Sequence, residues 1–213
     1  MRTYLHKSPW WLRLLYPQCL WRIPTKKKEI FLTFDDGPKP GITEFVLDQL
    51  EQHDQRATFF CVGSNVRKYP ELAQKIITKG HAIGNHTLTH RNGWKTSNKA
   101  YIEDINSCND ALKPYITGRN LELFRPPYGR FTRHQLKTIS RQYRIVMWDY
   151  LIGDFDPEIK PEVCLDKAIN AITPGSIVVF HDSNKASGCL RQVLPAYLEH
   201  LTAIGYRGLT LDH

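Results

Sequence analysis

The stretch FLTFDDGP, residues 31 to 38, joins a short apolar run to two adjacent carboxylates, Asp35 and Asp36, and then to the turn formers Gly37 and Pro38. Neighbouring residues on an extended chain point to opposite sides, so the two acids can hold different tasks. Their mutual repulsion is relieved when a metal ion or a basic partner takes one of them. Alone, DDG fits a solvated turn equally well. Further along, GNHTLTH sets His86 and His90 four residues apart. On one helical turn or in a compact loop, that spacing lets two imidazoles converge on one ion. With one carboxylate they form a facial triad that leaves positions open for water and substrate. FRPPYG supplies Arg125, a permanent cation able to pair with a carboxylate, on a backbone fixed by two prolines. IVVFHD delivers His181, whose type suits a general acid beside a metal site. Each motif taken singly also reads as a surface turn; DDG and the histidine pair together favour a metal centre.

Such residues need a scaffold that brings them to one place. Strand-like runs are expected at Ile30 to Phe34, Ala57 to Val62, His81 to Asn85, Leu121 to Phe124, Arg144 to Trp148, Ser176 to Phe180 and Tyr206 to Leu211. Helical patterns lie between them. Thr43, Ser97 and Thr132 stand where N-caps belong, and Pro161 where a first helical residue belongs. About seven parallel strands alternating with helices predict an α/β fold whose sheet curls into a (β/α) barrel. Barrel chemistry sits at the C-terminal ends of strands. There the sequence places Asp35 and Asp36, His86 and His90, Arg125, Asp154 and His181.

Composition sets the limits. At 213 residues, with 23% charged and 41% hydrophobic residues, the chain suits one soluble globular domain and is too polar for a membrane span. A net charge of +8 favours anionic partners. Lys26 to Lys28 is the only basic run, however, and no nucleic-acid-binding motif is present, so nucleic acid is not expected as a partner. Five scattered cysteines without a C-x-x-C pair point to reduced thiols.

Residues 1–28 are basic and aromatic, with Trp10, Trp11, Leu12, Leu14, Leu15 and Trp21. Arg13 and Pro17 interrupt the apolar run and no small-x-small cleavage site follows, which disfavours a cleaved signal peptide. The segment is read as packing on a domain formed by residues 29–213, in preference to a helix lying on a membrane surface. On that basis a cytoplasmic or membrane-peripheral location is expected over secretion.

TFDDG, HTLTH, RPPYG and VVFHD, with ATFFCVG and GHAIGNH between them, resemble in order and spacing the motifs of the polysaccharide deacetylase family, carbohydrate esterase family 4. The resemblance runs from about Ile30 to Leu211. It implies a distorted (β/α) barrel and a divalent metal, zinc by preference with cobalt, nickel or manganese as alternatives, held by Asp36, His86 and His90. By the same matching Asp35 is the general base and Arg125 its orienting partner. The backbone N–H of Tyr128 helps to stabilise the oxyanion. His181 protonates the departing amine, and Asp154 orients His181. The implied substrate is an acetylated amino-sugar polymer or oligomer of chitooligosaccharide or peptidoglycan type.

Where the family has two acids three apart followed by tryptophan, this chain reads LIGDF, residues 151 to 155. Leu151 replaces the first acid and Phe155 the tryptophan, which touches the pocket wall more than the catalytic set. An O-acetyl esterase, another small-amide deacylase and a carbohydrate-binding barrel without turnover remain as alternatives. Binding alone would not require both Asp35 and His181.

Overall fold

The structure, a computed structural model, describes residues 4–116 and 122–212. Leu121, at the start of one expected strand, lies outside the described residues, as do Met1 to Thr3 and His213. The strands among the described residues are β1 (Cys19–Leu20), β2 (Glu29–Asp35), β3 (Ala57–Cys61), β4 (Ala82–Asn85), β5 (Glu122–Phe124), β6 (Tyr143–Val146), β7 (Tyr150–Leu151), β8 (Ile177–His181) and β9 (Arg207–Gly208). Eight follow the order β1-β6-β5-β4-β3-β2-β8-β7, and β9 adds to the start of β2. Every pairing is parallel, the arrangement that helical crossovers impose. The path ends at β1 and β7, so the curled sheet is a distorted barrel with a seam. Residues 4–28 run along that seam. Leu151 N–H donates to the His6 carbonyl and Ser8 N–H to that of Asp149 beside β7, while β1 pairs with β6.

The helices are α1 (Trp10–Leu15), α2 (Thr43–Gln52), α3 (Gly63–Lys68), α4 (Pro70–Thr78), α5 (Asn98–Leu112), α6 (Arg133–Ile139), α7 (Pro161–Asn170) and α8 (Ser187–Ala203). Ser97 and Thr132 cap α5 and α6 as expected; Thr132 and Gln135 form a reciprocal capping box. Pro161 opens α7. Thr43 does not cap. It is the first residue of α2, and its hydroxyl donates instead to the buried Asp182.

Side chains of β2 alternate between two environments. Leu32 and Phe34 face the surrounding helices, and Phe34 stacks on Phe59 and Phe180 with ring centroids 5.1 and 5.6 Å away. Phe31 faces the barrel interior with Phe60, Leu123, Val146 and Ile177. Two and four residues on, the same face of β2 carries Thr33 and Asp35. The barrel interior is therefore apolar below and polar at its C-terminal rim, where the chemistry-bearing residues gather.

Candidate active site

A pocket of about 400 Å³ opens at that rim, lined among others by Asp35, Asp36, His86, His90, Tyr128 and His181. Six of the eight residues singled out in the sequence line it; Arg125 and Asp154 stand directly behind Asp35 and His181.

His86 and His90 come from a compact loop rather than a helical turn. Thr87 and His90 have positive φ, at 62° and 56°. The loop is held by neighbours: Thr87 N–H donates to Asn85 Oδ1, Thr89 N–H to Asp104 Oδ1, and the amides of Gly63 and Ser64 to the carbonyls of Thr87 and Leu88. One ligand atom from each of Asp36, His86 and His90 lies within 4.8 Å of the other two. Asp36 Oδ1 is 3.0 Å from His90 Nε2 and 3.7 Å from His86 Nε2. It is nonetheless buried without hydrogen-bond geometry to any partner, which is costly unless something else fills the gap. His86 Nδ1 faces the Arg125 carbonyl at 2.8 Å, so its proton resides there and Nε2 keeps a lone pair towards Asp36. Burial holds His86 down at about 4, hence neutral. Burial opposes the charge on Asp36, yet His90, His181 and His86 together keep it well below the usual carboxylate range. Two imidazoles and one carboxylate whose Oδ1 has no hydrogen-bond partner fit a divalent cation, and zinc suits this donor set.

Arg125 is fully buried and every side-chain nitrogen is engaged. Nη1 donates to Asp35 Oδ1 at 2.8 Å and Thr33 Oγ1 at 2.7 Å, Nη2 to the Met147 carbonyl, and Nε to that of Val146. Its guanidinium lies 4.1 Å over the Phe60 ring. Across the pocket, Asp154 accepts from the backbone N–H of His181 and faces its Nδ1, both at 2.8 Å. Burial disfavours charge on this ring, but Asp154, assisted by Asp36 and Asp35, outweighs it and lifts His181 to about 9. Tyr128 occupies the rim in a left-handed conformation, φ 60°, with its ring edge-on to His90.

A family model described as polysaccharide deacetylase matches residues 22–147. The chain belongs to the polysaccharide deacetylase family. A Bacillus cereus protein named peptidoglycan-N-acetylglucosamine deacetylase is 35% identical over 75% of this chain; the match takes in 58% of that protein, less than two thirds of its length. A chitooligosaccharide deacetylase of Azorhizobium caulinodans is 34% identical over 76% of this chain and 77% of its own. Among solved structures, a peptidoglycan N-acetylglucosamine deacetylase in complex with a naphthalenyl N-oxidanyl-benzamide superposes with a TM-score of 0.86 at 29% identity, covering 96% of this chain and 95% of the other.

Against this polysaccharide deacetylase frame, both LIGDF departures line the pocket. Leu151 is buried on β7, and the Phe155 ring stands edge-on to His181 at 4.9 Å. Tyr4, from the N-terminal segment, packs edge-on to Phe155 at 5.0 Å and also lines the pocket. Asp154 is delivered by the two-residue strand β7, not by the longer strand before it as the sequence suggested. Sequence reasoning gave no task to Asp182, although VVFHD contains it. It accepts from Gly37 N–H at 2.9 Å and from the Thr43 hydroxyl, pinning the loop that follows Asp36. A Cβ on Gly37 would stand 2.0 Å from Asp182 Oδ2, which explains glycine there. Thr33 and Tyr4 were likewise missed: one is the first residue of TFDDG, the other belongs to a segment that carries no motif.

Proposed function

We propose that the chain is a metal-dependent hydrolase removing N-acetyl groups from amino-sugar polymers or oligomers of peptidoglycan or chitooligosaccharide type. Residues 29–213 form the catalytic unit, with residues 1–28 packed on it. The observation carrying this reading is the convergence on one pocket of three elements: the Asp36, His86 and His90 donor triangle, the Asp35–Arg125 pair, and the His181–Asp154 pair.

An acetamide has a weakly electrophilic carbonyl and a poor leaving group. When bound by Asp36, His86 and His90, a divalent ion supplies Lewis acidity and an acidified water. Asp35, gripped by Arg125 and so fixed in direction, takes the proton from the attacking water. The Tyr128 backbone N–H, at the rim beside His90, faces the developing oxyanion. His181, kept as imidazolium by Asp154, gives its proton to the nitrogen as the C–N bond breaks. Without that proton the tetrahedral intermediate returns water rather than amine.

Acetate release from chitooligosaccharides, peptidoglycan fragments and acetylated xylan, measured for the metal-loaded protein and for Asp36→Ala, tests this. Release from an N-acetylated substrate that disappears in the variant supports the reading. Release from xylan alone makes the chain an O-acetyl esterase. Metal binding with glycan binding but no release from any of the three makes it a carbohydrate-binding barrel.

A further inference from the structure

Of the large apolar side chains exposed among the described residues, five fall within eleven residues of the N-terminal segment: Leu5, Trp10, Trp11, Leu14 and Leu15. Trp10 and Leu14 are each 71% exposed. This is no frayed end. Asp149, wholly buried, accepts from Arg13 Nη2 at 2.6 Å, from Lys7 Nζ at 3.2 Å and from the Ser176 hydroxyl, while Leu12 packs against the core. In α1 the cation turns inward to a buried carboxylate and the indoles, Leu14 and Leu15 turn outward, the reverse of an ordinary surface helix. A rigidly held apolar face of this kind marks an interaction site.

Charge around it identifies the occupant. Residues 1–28 contain seven lysines and arginines and residues 123–148 contain six, with no Asp or Glu in either stretch, so the rest of the chain is net acidic. These two stretches meet at this face: Leu15, Tyr16 and Gln18 share a hollow with the exposed Arg133 and Lys137 of α6. Exposed tryptophan and leucine beside the exposed Arg133 and Lys137 match the interfacial zone of an anionic bilayer, where indoles sit at headgroup depth and cations meet phosphate. No helix among the described residues is long and apolar enough to cross a membrane; α1, of six residues, is suited to lie on one.

We infer that the α1 face, with Arg133 and Lys137, docks this protein on the surface of an anionic lipid bilayer. The face is continuous with the pocket rim. Tyr16 packs on Phe131, whose carbonyl accepts from the Trp94 indole, and Arg130, which lines the pocket, lies 4.9 Å over the Trp94 ring. Docking thus holds the pocket mouth near the bilayer, facing glycan that lies close to lipid.

The experiment is co-sedimentation of the full chain with vesicles of phosphatidylcholine alone and of phosphatidylcholine with phosphatidylglycerol, alongside analytical ultracentrifugation without lipid. Binding is expected to the anionic vesicles and to weaken with salt. Trp10→Ser with Leu14→Ser should reduce partitioning about tenfold or more per side chain. Arg133→Gln and Lys137→Gln should each reduce it about fivefold. Because all four side chains are exposed, the thermal midpoint should stay unchanged. Equal binding by wild type and both variant pairs, or none to either vesicle, overturns the inference. So does a dimer that the Trp10→Ser, Leu14→Ser variant abolishes, since the face would then belong to a second copy.

Discussion

Replacing Asp154 by Asn removes one negative charge 2.8 Å from His181 Nδ1 and leaves a side chain of the same size. In the native protein that carboxylate prevails over burial and lifts the ring from 6.5 to about 9. In Asp154→Asn the burial remains and its main opponent is gone, so the ring should fall to about 6.5 or lower. The loss is about 2.5 units, or about 3 kcal/mol of preference for imidazolium. The sign follows directly: a raised group keeps its proton until pH climbs past its native value, so removing the cause moves deprotonation to lower pH. At pH about 7.5 the protonated share drops from nearly all to about one tenth, and kcat/KM for an acid-dependent step drops about tenfold from protonation alone. At pH about 5.5 most of that loss should return, leaving only the cost of a less well oriented ring. Acetate release, followed as kcat/KM from pH 5 to 9 for both proteins, reads this as a downward shift of the alkaline limb by about 2.5 units. Metal content should match wild type, because Asp154 is not among the three candidate ligands. A rate ratio between the two proteins that does not change with pH would refute the acid role of His181.

Three further outcomes are expected. Chelation should abolish turnover, and thousandfold excess of zinc over its dissociation constant should stabilise the apoprotein by about 4 kcal/mol, seen as a rise in Tm that Asp36→Ala eliminates. An unchanged Tm with zinc would count against the donor triangle. Gly37→Ala drives a methyl into Asp182 and should cost at least about 2 kcal/mol in urea unfolding, a loss that the additional change Asp182→Ala relieves; a neutral Gly37→Ala would show that the loop is free to move. Phe155→Trp should alter relative kcat/KM along a series of chitooligosaccharide lengths by about 1–3 kcal/mol, and identical ratios would show that the ring does not touch the sugar.

What the sequence disclosed followed physical signal strength. Fully buried parallel strands are continuous apolar runs, so β2, β3 and β8 stand out within a residue or so of their bounds. β1 and β7 have two residues each, too few for any periodicity, and they are strands only because β6 and β8 lie beside them. The strand expected from Tyr206 to Leu211 shrinks to Arg207–Gly208 for want of a longer partner edge. α8 carries Pro195 within its seventeen residues, which masks a helix that tertiary packing nevertheless holds. The metal-site candidates were legible because their residue types are rare together. The four-residue spacing of the histidines could not distinguish helix from loop; positive φ at Thr87 and His90 decides it. Thr43 misled because its hydroxyl has a choice of acceptors, and the one it takes, Asp182, lies 139 residues away.

Arg125 joins parts of the molecule that no strand pairing links directly. From the end of β5 it reaches the hydroxyl and carboxylate of β2 on one side and, on the other, the carbonyls of Val146, which ends β6, and Met147, with the interior ring of Phe60 beneath it. Strands β2 and β6 are not neighbours in the sheet, so this guanidinium is a crossbrace spanning the hollow of the barrel. Separating them strands a buried cation and a buried carboxylate at once, at a cost of about 3–5 kcal/mol. The group that orients Asp35 is thus also a tie across the fold. Curvature of the sheet and orientation of Asp35 cannot relax independently, and in a denaturant titration activity and barrel structure should disappear in a single step.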